Sequence, residues 1–246
     1  MNPTGMLLTQ PIVQYCQSFD MKDNNADLEV TIMTIDQDLA ERDYKEFLKF
    51  VSKEKQERIG RFHFYKDAQT ALLADVLVRY EICKRTGLSN WQLRFSSDEY
   101  GKPYLVNDPH TQYNISHSGN YVAFAIDSKP VGIDIEEIKP IDLKIADRFF
   151  TKEEASFITS QFADVRIQTF FQIWTLKESR IKFEDKGFSM SLSSFNVLEE
   201  PSENTSIWYH NIPLDRNDMI CHVCTKQQER PTHSVISLKS FLHTIV

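Results

Sequence analysis

The sequence predicts an α/β (α+β) fold built from two similar halves, each with a small antiparallel sheet and helices. Strand-like and helix-like patterns alternate along the 246 residues. The motif Phe50-Val-Ser-Lys-Glu54 recurs as Phe150-Thr-Lys-Glu153, and each copy is followed, 35 or 36 residues after its capping residue, by Gly87-Leu88 or Gly187-Phe188. This repeat predicts a pseudo-two-fold duplication of 28–127 as 128–246, behind an N-terminal extension at 1–27, with a ligand cleft between the halves.

Composition and charge exclude several classes of protein. The chain is 41% hydrophobic with 17 Phe, enough to bury one sizeable core or two small ones. A formal charge of −7 gives no basic field that would attract nucleic acid or an anionic membrane. No apolar run approaches the roughly 20 residues of a membrane span. The four Cys do not form a disulfide framework and the N-terminus is unlike a signal peptide, so we expect a cytoplasmic protein.

The first half begins with an alternating strand over Leu28–Ile35. Three helices are predicted after it, over Asp38–Val51, over Lys53–Phe62 with Ser52 as its N-cap, and over Asp67–Arg85. The last of these carries a broad apolar face, which predicts that it packs across a sheet or against its neighbouring helices.

The middle of the chain predicts a hairpin. A strand is expected over Trp91–Phe95, and Asp98–Pro103 has turn chemistry. Two further strands are expected over Gln112–Ile115 and Tyr121–Ile126, joined by a tight polar turn over Ser116–Asn120.

A candidate metal site lies in the β-branched run Val131–Glu136. Side chains alternate along a strand, so Asp134 and Glu136 face the same side, about 6–7 Å apart. Two like charges so close need a cation between them. Oxygen-only ligands favour a hard divalent ion, magnesium before zinc. The alternative to a metal site is that these residues lie on a solvated edge strand.

A helix some forty residues later can supply a third carboxylate. Within Thr169–Lys182, the residues Trp174, Glu178 and Lys182 fall on one face. A charged pair beside Trp is costly to desolvate unless a metal or a phosphate compensates for it. The alternative is an ordinary surface pair between Glu178 and Lys182.

The second half contains two further signals. Thr151 and Glu154 have the spacing of a capping box at a helix start. Cys221-His-Val-Cys224 has the spacing of a redox or zinc motif, but there is no second such motif, and strand alternation sends Cys221 and Cys224 to opposite faces. A structural strand is therefore the favoured interpretation.

The polar residues without an obvious structural role fit a polyphosphate held by cations at its ends and by a metal in its middle. They are Lys55, Arg58, Lys102, His117, Asp134, Glu136, Glu178 and Lys182. Each has a simpler alternative: Lys55 and Arg58 as a solvated helix face, Lys102 as a turn residue, His117 as a partner of loop carbonyls.

A hydrolase triad of Ser116 or Ser118 with His117 and Asp134 is disfavoured. A nucleophile and a base that are adjacent on one turn rarely reach each other, and no Gly-x-Ser-x-Gly elbow is present.

Several ordered motifs together resemble the 4′-phosphopantetheinyl transferases. Gly132-Ile-Asp-Ile-Glu136, Trp174-Thr-Leu-Lys-Glu-Ser-Arg-Ile-Lys182 and Lys186-Gly-Phe188 carry the family likeness. Four upstream motifs resemble the Sfp-type branch, which activates peptide synthetases: Ser52-Lys-Glu-Lys-Gln-Glu-Arg58, Leu72-Leu-Ala-Asp-Val-Leu-Val-Arg79, Tyr100-Gly-Lys-Pro-Tyr104 and Asn114-Ile-Ser-His-Ser-Gly119. The likeness covers roughly residues 28–225 and is specific because the motifs occur in order.

The resemblance implies a monomeric pseudo-dimer that binds coenzyme A. It implies that a serine of an apo carrier protein (a peptidyl, acyl or aryl carrier domain) attacks the pyrophosphate of coenzyme A and releases adenosine 3′,5′-bisphosphate. Roles in nonribosomal peptide and antibiotic biosynthesis would follow. We expect no nucleic-acid or membrane partner.

The resemblance also assigns residues to roles. It places Mg²⁺, with Mn²⁺ as a substitute, on Asp134, Glu136 and Glu178. Lys182, Ser116 and His117 would meet phosphates, Lys55 and Arg58 would lie near the nucleotide, and Gly101, Lys102 and Pro103 would flank adenine. Glu178, directly or through water, is the candidate base for the serine, with Lys182 and His117 as the other catalytic residues.

The sequence departs from the family pattern in two places, and the predicted function has two alternatives. Gln69 and Thr70 stand where a basic residue is expected, and residues 1–27 lie outside the family pattern. The alternatives are a coenzyme A-binding protein without turnover and a holo-acyl-carrier-protein synthase of primary metabolism.

Overall fold

The chain folds as a mixed α/β protein with several small antiparallel sheets, as the sequence predicts. A computed structural model describes residues 28–185, 189–199 and 207–245. The contacts divide the chain into two compact units. The first contains Ile35–Leu93 and the C-terminal residues from Ile236, and the second contains the first strand and Arg94–Val235. The duplication of 28–127 as 128–246 and the cleft between those halves remain predictions.

The strands in the described part of the chain are β1 (Glu29–Thr34), β2 (Phe95–Ser97), β3 (Pro103–Leu105), β4 (Gln112–Ser118), β5 (Tyr121–Asp127), β6 (Val131–Glu137), β7 (Trp208–Asn211), β8 (Met219–Thr225) and β9 (Thr232–Ser237). The α-helices there are α1 (Glu41–Leu48), α2 (Lys53–Ile59), α3 (Tyr65–Thr86), α4 (Ala146–Phe149), α5 (Lys152–Ser160), α6 (Arg166–Phe183) and α7 (Leu238–Ile245). Short 3₁₀ turns occupy Asn90–Gln92, Leu143–Ile145 and Leu192–Ser194.

Helices dominate the first unit, and two of their ends are capped by Ser52 and Gly87. The Ser52 hydroxyl accepts the Lys55 N–H at 3.2 Å and so satisfies one of the free amides that begin α2. Gly87 ends α3 in the left-handed conformation, with φ of 71°, and its N–H donates to the Cys83 carbonyl. Leu72 and Leu77, in the middle of α3, are completely buried.

The second unit contains the sheets. One has the strand order β4-β5-β1-β9, another has the order β6-β8-β7, and β2 and β3 form a two-stranded hairpin. β4 and β5 pair antiparallel, as do β6 and β8. A core of aliphatic side chains, with Val30 and Ile32 of β1 and Ile133 and Ile135 of β6 among its members, joins the two larger sheets.

Side chains connect β4 to β6. Asn114, Ser116 and Ser118 alternate along β4 and therefore share one face. The Asn114 amide oxygen accepts the Ile133 N–H at 2.9 Å, and the Ser118 hydroxyl accepts the Glu137 N–H at 3.1 Å. This row of polar side chains fixes the polar face of β6 beside β4.

Helix α6 packs closely on β6 because Gly132 has no side chain. A Cβ atom at Gly132 would collide with the α6 backbone at Ser179, Lys182 and Phe183. The close approach brings the residues of the last two turns of α6 onto the strand that carries the acidic pair. The glycine of the predicted metal strand thus has a packing role.

Two local predictions were wrong. Trp91 lies in a 3₁₀ turn rather than in a strand, because Ser89 and Gln92 form a capping box and the indole is exposed. Ser116, His117 and Ser118 belong to strand β4, so the turn to β5 is confined to Gly119 and Asn120. The hairpin itself is confirmed.

The predicted structural role of the Cys motif is confirmed. Cys221 and Cys224 are buried on opposite faces of β8, in two different apolar clusters. Residues 1–27, Lys186, Gly187 and Phe188 lie outside the described residues, so the predictions that fall on them are not addressed. Among the described helices, none is both long and apolar enough to cross a membrane.

Candidate active site

An ion pair between α6 and β6 forms the centre of the site. The Lys182 ammonium lies 2.7 Å from Oδ1 of Asp134 and also donates to the Ser116 hydroxyl at 2.9 Å and to the Ile133 carbonyl at 3.1 Å. The Ser116 hydroxyl in turn donates to Asp134 Oδ1 at 2.8 Å. Three elements, β4, β6 and α6, therefore meet at one carboxylate oxygen.

The second oxygen of Asp134 is unsatisfied. Asp134 is only 4% exposed, and its Oδ2 is a buried side-chain atom that lacks a hydrogen-bond partner in the described part of the chain. A buried carboxylate oxygen without a partner is costly. Such an atom marks a position where a cation or a donor from a ligand would be stabilising.

Glu136 lies two residues along the same face of β6. Its Oε2 accepts a hydrogen bond from the Ser118 hydroxyl at 2.7 Å. Burial raises the pKa of Glu136, the negative charge of Asp134 raises it further, and the Ser118 bond opposes the rise. The carboxylate is therefore held in a place where a positive charge would be favourable.

Glu178 approaches the same pair from α6, one turn before Lys182. Burial raises the pKa of Glu178, and the charges of Asp134 and Glu136 also raise it, whereas Lys182 lowers it. These mutual effects place Glu178 within electrostatic reach of both strand carboxylates. That Glu178 supplies the third carboxylate of a metal site remains a prediction.

The donor set fits a hard divalent cation. Asp134, Glu136 and Glu178 offer carboxylate oxygens, and the orphaned Oδ2 of Asp134 provides an open position. In the residues that the structure describes, no three acidic, His or Cys groups are already gathered tightly enough to hold an ion. Lys182 supplies a positive charge beside Asp134.

His117 lies on the other face of β4 from Ser116 and Ser118 and is exposed, whereas Ser116 is buried. Ser116 donates to Asp134 instead of facing an imidazole. This arrangement agrees with the rejection of a serine hydrolase triad. The structure brings together Ser116, Asp134, Glu136, Glu178 and Lys182, and leaves His117 at the surface of the same strand.

Sequence comparison supplies the family. Residues 39–129 match the family model described as 4′-phosphopantetheinyl transferase, N-terminal, and residues 130–237 match that of the 4′-phosphopantetheinyl transferase superfamily. The 4′-phosphopantetheinyl transferase ffp of Bacillus subtilis is 45% identical over 218 residues, which cover 85% of this chain and 97% of the relative. The chain belongs to the 4′-phosphopantetheinyl transferase superfamily.

Other relatives extend the likeness. The 4′-phosphopantetheinyl transferase Sfp of Bacillus subtilis is 45% identical over 173 residues, which cover 70% of this chain and 77% of the relative. The mouse L-aminoadipate-semialdehyde dehydrogenase-phosphopantetheinyl transferase is 33% identical over 167 residues, which cover 61% of this chain and 54% of the relative. The predicted Sfp-type membership is confirmed, and the protein is a transferase enzyme.

A histidine that the sequence did not single out lies next to the acidic pair of this transferase. His222 on β8 stands opposite Asp134 in the β6–β8 register. Its Nδ1 lies 2.7 Å from the Thr175 hydroxyl of α6, and burial lowers its pKa to about 4. His222 is therefore neutral at pH 7 and links the central strand β8 to α6. No local signal identifies it, because the contact depends on strand pairing.

A second unforeseen feature of the transferase is the buried pair Lys177–Glu154. Both side chains are completely buried, with Lys177 Nζ 2.8 Å from Glu154 Oε2. Lys177 also donates to the carbonyls of Leu192 and Phe195, and Glu154 Oε1 accepts the Val197 N–H. The pair immobilises α6 at the residue before Glu178. The sequence predicts Glu154 only as part of a capping box at the start of a helix, and the structure contains that capping box as well.

The remaining predicted residues of the transferase have identifiable surroundings. Gly101 turns with φ of 87° between β2 and β3, and Lys102 Nζ donates to the Val131 and Lys182 carbonyls. In the first unit, Lys55 pairs with Asp75 at 3.3 Å, and Arg58 is exposed.

Gln69 is one of the two residues that stand where the family pattern has a basic residue. Gln69 is 2% exposed and accepts the Leu39 N–H at 2.6 Å. Its amide thus has a structural role inside the first unit.

Proposed function

We propose that this transferase moves the phosphopantetheinyl group of coenzyme A to a serine of an apo carrier protein in a Mg²⁺-dependent reaction. The serine oxygen forms a bond to the phosphorus that bears pantetheine. The bond from that phosphorus to the bridging oxygen of the pyrophosphate breaks, and adenosine 3′,5′-bisphosphate leaves. The serine proton passes to a base on the enzyme.

The observation that carries the proposal is the buried Oδ2 of Asp134, which has no hydrogen-bond partner among the described residues, in a carboxylate that pairs with Lys182 and raises the pKa of Glu136 and of Glu178. Asp134 is buried, and Glu136 and Glu178 are partly buried. Gathering three such carboxylates opposes folding unless a ligand stabilises them. Asp134, Glu136 and Glu178 would hold Mg²⁺. When bound, the ion would supply positive charge against the pyrophosphate, as phosphoryl transfer requires.

Glu178 is the proposed base. Burial and the neighbouring carboxylates raise its pKa, and a raised pKa brings a carboxylate closer to the range in which it accepts and releases a proton at neutral pH. Lys182 is half-buried and already stabilises charge on Asp134. In the reaction, Lys182 would also stabilise negative charge on the transferred phosphate.

The other binding residues follow from the resemblance. Lys55 and Arg58 would lie near the nucleotide, and Gly101, Lys102 and Pro103 would flank adenine. Ser116 and His117 would contact phosphates; the exposure of His117 leaves it accessible to a ligand. Carrier domains of peptide synthetases are the proposed partners.

Two alternatives predict different outcomes. A coenzyme A-binding protein without turnover does not need the three carboxylates of Asp134, Glu136 and Glu178, so this arrangement favours catalysis. A holo-acyl-carrier-protein synthase of primary metabolism would prefer an acyl carrier protein. High identity to the transferases ffp and Sfp over most of their lengths favours the Sfp-type activity.

One assay tests the proposal. Purified protein is mixed with coenzyme A, MgCl₂ and either an apo peptidyl or an apo acyl carrier protein, and the carrier is weighed by mass spectrometry. We expect a gain of about 340 Da, the increment of one phosphopantetheine, that disappears in excess chelator. The Glu178→Gln variant is the matched control. An unchanged carrier mass with the wild-type protein would refute the transfer activity.

A further inference from the structure

The side chain of Lys102 points into the protein. Lys102 is only 14% exposed at its side chain, and its ammonium donates to the Val131 carbonyl at 3.3 Å, to the Lys182 carbonyl at 2.8 Å and to the Asp185 carboxylate. An ammonium has three donors. All three are engaged by protein atoms, so none remains for a phosphate or a base.

The three acceptors belong to different parts of the second unit. Val131 begins β6, Lys182 is in the last turn of α6, and Asp185 follows that helix. Lys102 itself is held rigidly in the β2–β3 hairpin, where the Asp98 carboxylate accepts its N–H at 2.8 Å. Lys102 therefore connects a fixed hairpin to the end of the helix that carries Lys182.

The end of α6 benefits from this contact in two ways. The last carbonyls of a helix lack partners within the helix, and Lys102 satisfies that of Lys182. A cation at a helix C-terminus also interacts favourably with the helix dipole. The contact acts on the backbone of the residue whose side chain binds Asp134.

Asp185 provides an independent observation. Among the described residues other than Gly, it alone has a positive φ, 55°. It occupies the position just after the helix where Gly is usual, because a side chain is unfavourable in the left-handed conformation. A Gly there would relieve the backbone but would lack the carboxylate that binds Lys102. The ion pair therefore accounts for an Asp in this position.

We propose that Lys102 is a positioning residue that, with Asp185, clamps the C-terminal turn of α6 and so holds Lys182 against Asp134. This role rests on the proposed transfer reaction and adds to it. The backbone of Gly101, Lys102 and Pro103 remains available to flank adenine, whereas the Lys102 side chain acts through α6.

Substrate kinetics test the clamp. Lys102→Met and Asp185→Gly should each lower kcat about tenfold, because a small displacement of a group at the reacting centre has a large effect on rate. The KM for coenzyme A should change less than about twofold. The double variant should be no slower than the worse single variant, since both changes break one contact. Lys102→Arg, which keeps a cation, should recover part of the rate, and exposed Lys226→Met should behave as wild type.

Hydrogen exchange supplies a readout that needs no substrate. The Glu184 N–H, which bonds to the Arg180 carbonyl at 2.9 Å, should lose protection in Lys102→Met and in Asp185→Gly but not in Lys226→Met. Unchanged protection in both clamp variants would overturn the proposal. This result is distinct from a wild-type protein that forms no carrier adduct, which would instead overturn the transfer function.

Two kinetic outcomes would also overturn the clamp. If Lys102 binds the nucleotide through its side chain, Lys102→Met will raise the KM for coenzyme A, leave kcat unchanged, and have no counterpart in Asp185→Gly. If the contact is only structural, the variants will melt at lower temperature but will keep wild-type kcat and KM below that temperature.

Discussion

The ammonium of Lys182 lies 2.7 Å from Asp134 Oδ1, while Oδ2 of the same carboxylate is buried and has no hydrogen-bond partner among the residues that the structure describes. One oxygen of Asp134 is therefore neutralised by the protein, and we propose that the other binds a ligand. Because Lys182 reaches Asp134 from α6 and Ser116 reaches it from β4, the carboxylate cannot turn without breaking both contacts. This relationship leads to the first prediction.

Lys182→Met should destabilise the metal-free protein and abolish most transfer. The change leaves Asp134 buried without its cation, which we expect to cost about 1–3 kcal/mol of unfolding free energy. MgCl₂ should restore part of that loss, because a bound cation stabilises the folded state by mass action. Urea unfolding in chelator and in MgCl₂ measures both effects, with Lys226→Met as the control. Equal stability of wild type and Lys182→Met in chelator would contradict the prediction.

Glu136→Gln and Glu178→Gln should each abolish transfer and yet stabilise the metal-free protein at pH 7. The pKa of each carboxyl is raised, first by burial. A carboxyl with a raised folded-state pKa favours folding below its unfolded pKa, and that stability is lost as the pH rises through the folded pKa. The amide removes this penalty. We expect transfer to fall by at least about 100-fold because a metal ligand is lost.

Thermal melting in chelator and a carrier-mass assay check these two variants together. The exposed Glu137→Gln is the matched control on the same strand. MgCl₂ should raise the melting temperature of the wild type and of Glu137→Gln. It should raise the melting temperatures of Glu136→Gln and Glu178→Gln much less. Variants that melt below the wild type in chelator at pH 7 would show that the carboxylates stabilise the fold without a metal.

His222 should make the protein lose stability below neutral pH. Burial lowers its pKa to about 4 from the ordinary 6.5. A depressed folded-state pKa means that stability is fully present above pH 6.5 and is lost as the pH falls toward 4, because the unfolded chain binds the proton first. The 2.5-unit difference corresponds to about 3 kcal/mol. His222→Gln should flatten the unfolding free energy between pH 6.5 and 4; parallel curves for the two proteins would contradict this assignment.

The acidic pair could be predicted from the sequence because it depends on local periodicity. Strand alternation places Asp134 and Glu136 on one face, and helical spacing places Glu178 and Lys182 together. The hairpin, the Ser52 cap and the structural Cys strand were recognised for the same reason. The prediction of a strand at Trp91 was wrong. Aromatic residues favour strands, but the Ser89 capping box stabilises a 3₁₀ turn at this position.

The partners of these residues could not be predicted, because they depend on contacts between distant segments. Lys182 pairs with Asp134, 48 residues away, although its sequence neighbour Glu178 suggested a local pair. His222 faces the site only through the β6–β8 register. Lys177 is completely buried against the expectation for lysine, because Glu154 and two carbonyls satisfy it.

Lys55→Ala, Arg58→Ala and His117→Ala should mainly raise the KM for coenzyme A. Contacts to the phosphates of a bound substrate act about equally on the ground state and the transition state, so kcat should change little. Salt should raise the same KM in the wild type, because ions screen exposed charges. Exposed Lys45→Ala, whose side chain pairs with Glu41, is the control. An unchanged KM in all three variants would place the nucleotide away from these residues.

The last prediction concerns the carrier protein. The chain carries −7, so its net charge does not attract an acidic partner at long range. Docking should instead use short-range contacts near the 3₁₀ turn Leu143–Ile145 and helix α4, where Phe150 is buried and Lys144 and Arg148 are exposed. The Arg148 guanidinium lies 5.2 Å from the centre of the Phe149 ring, which extends the apolar surface with a basic rim.

Charge reversal tests this surface. Lys144→Glu and Arg148→Glu should each raise the KM for the carrier protein about tenfold, because like charges would then meet at the rim. Lys144 and Arg148 lie outside β4, β6 and α6, which carry the carboxylate cluster, so kcat and the KM for coenzyme A should stay at wild-type values. Lys152→Glu, an exposed charge reversal at the start of α5, controls for the change in net charge. Wild-type KM values for both substrates in Lys144→Glu and in Arg148→Glu would exclude this stretch as the docking site, since a carrier that touched it would meet one reversed charge in each variant.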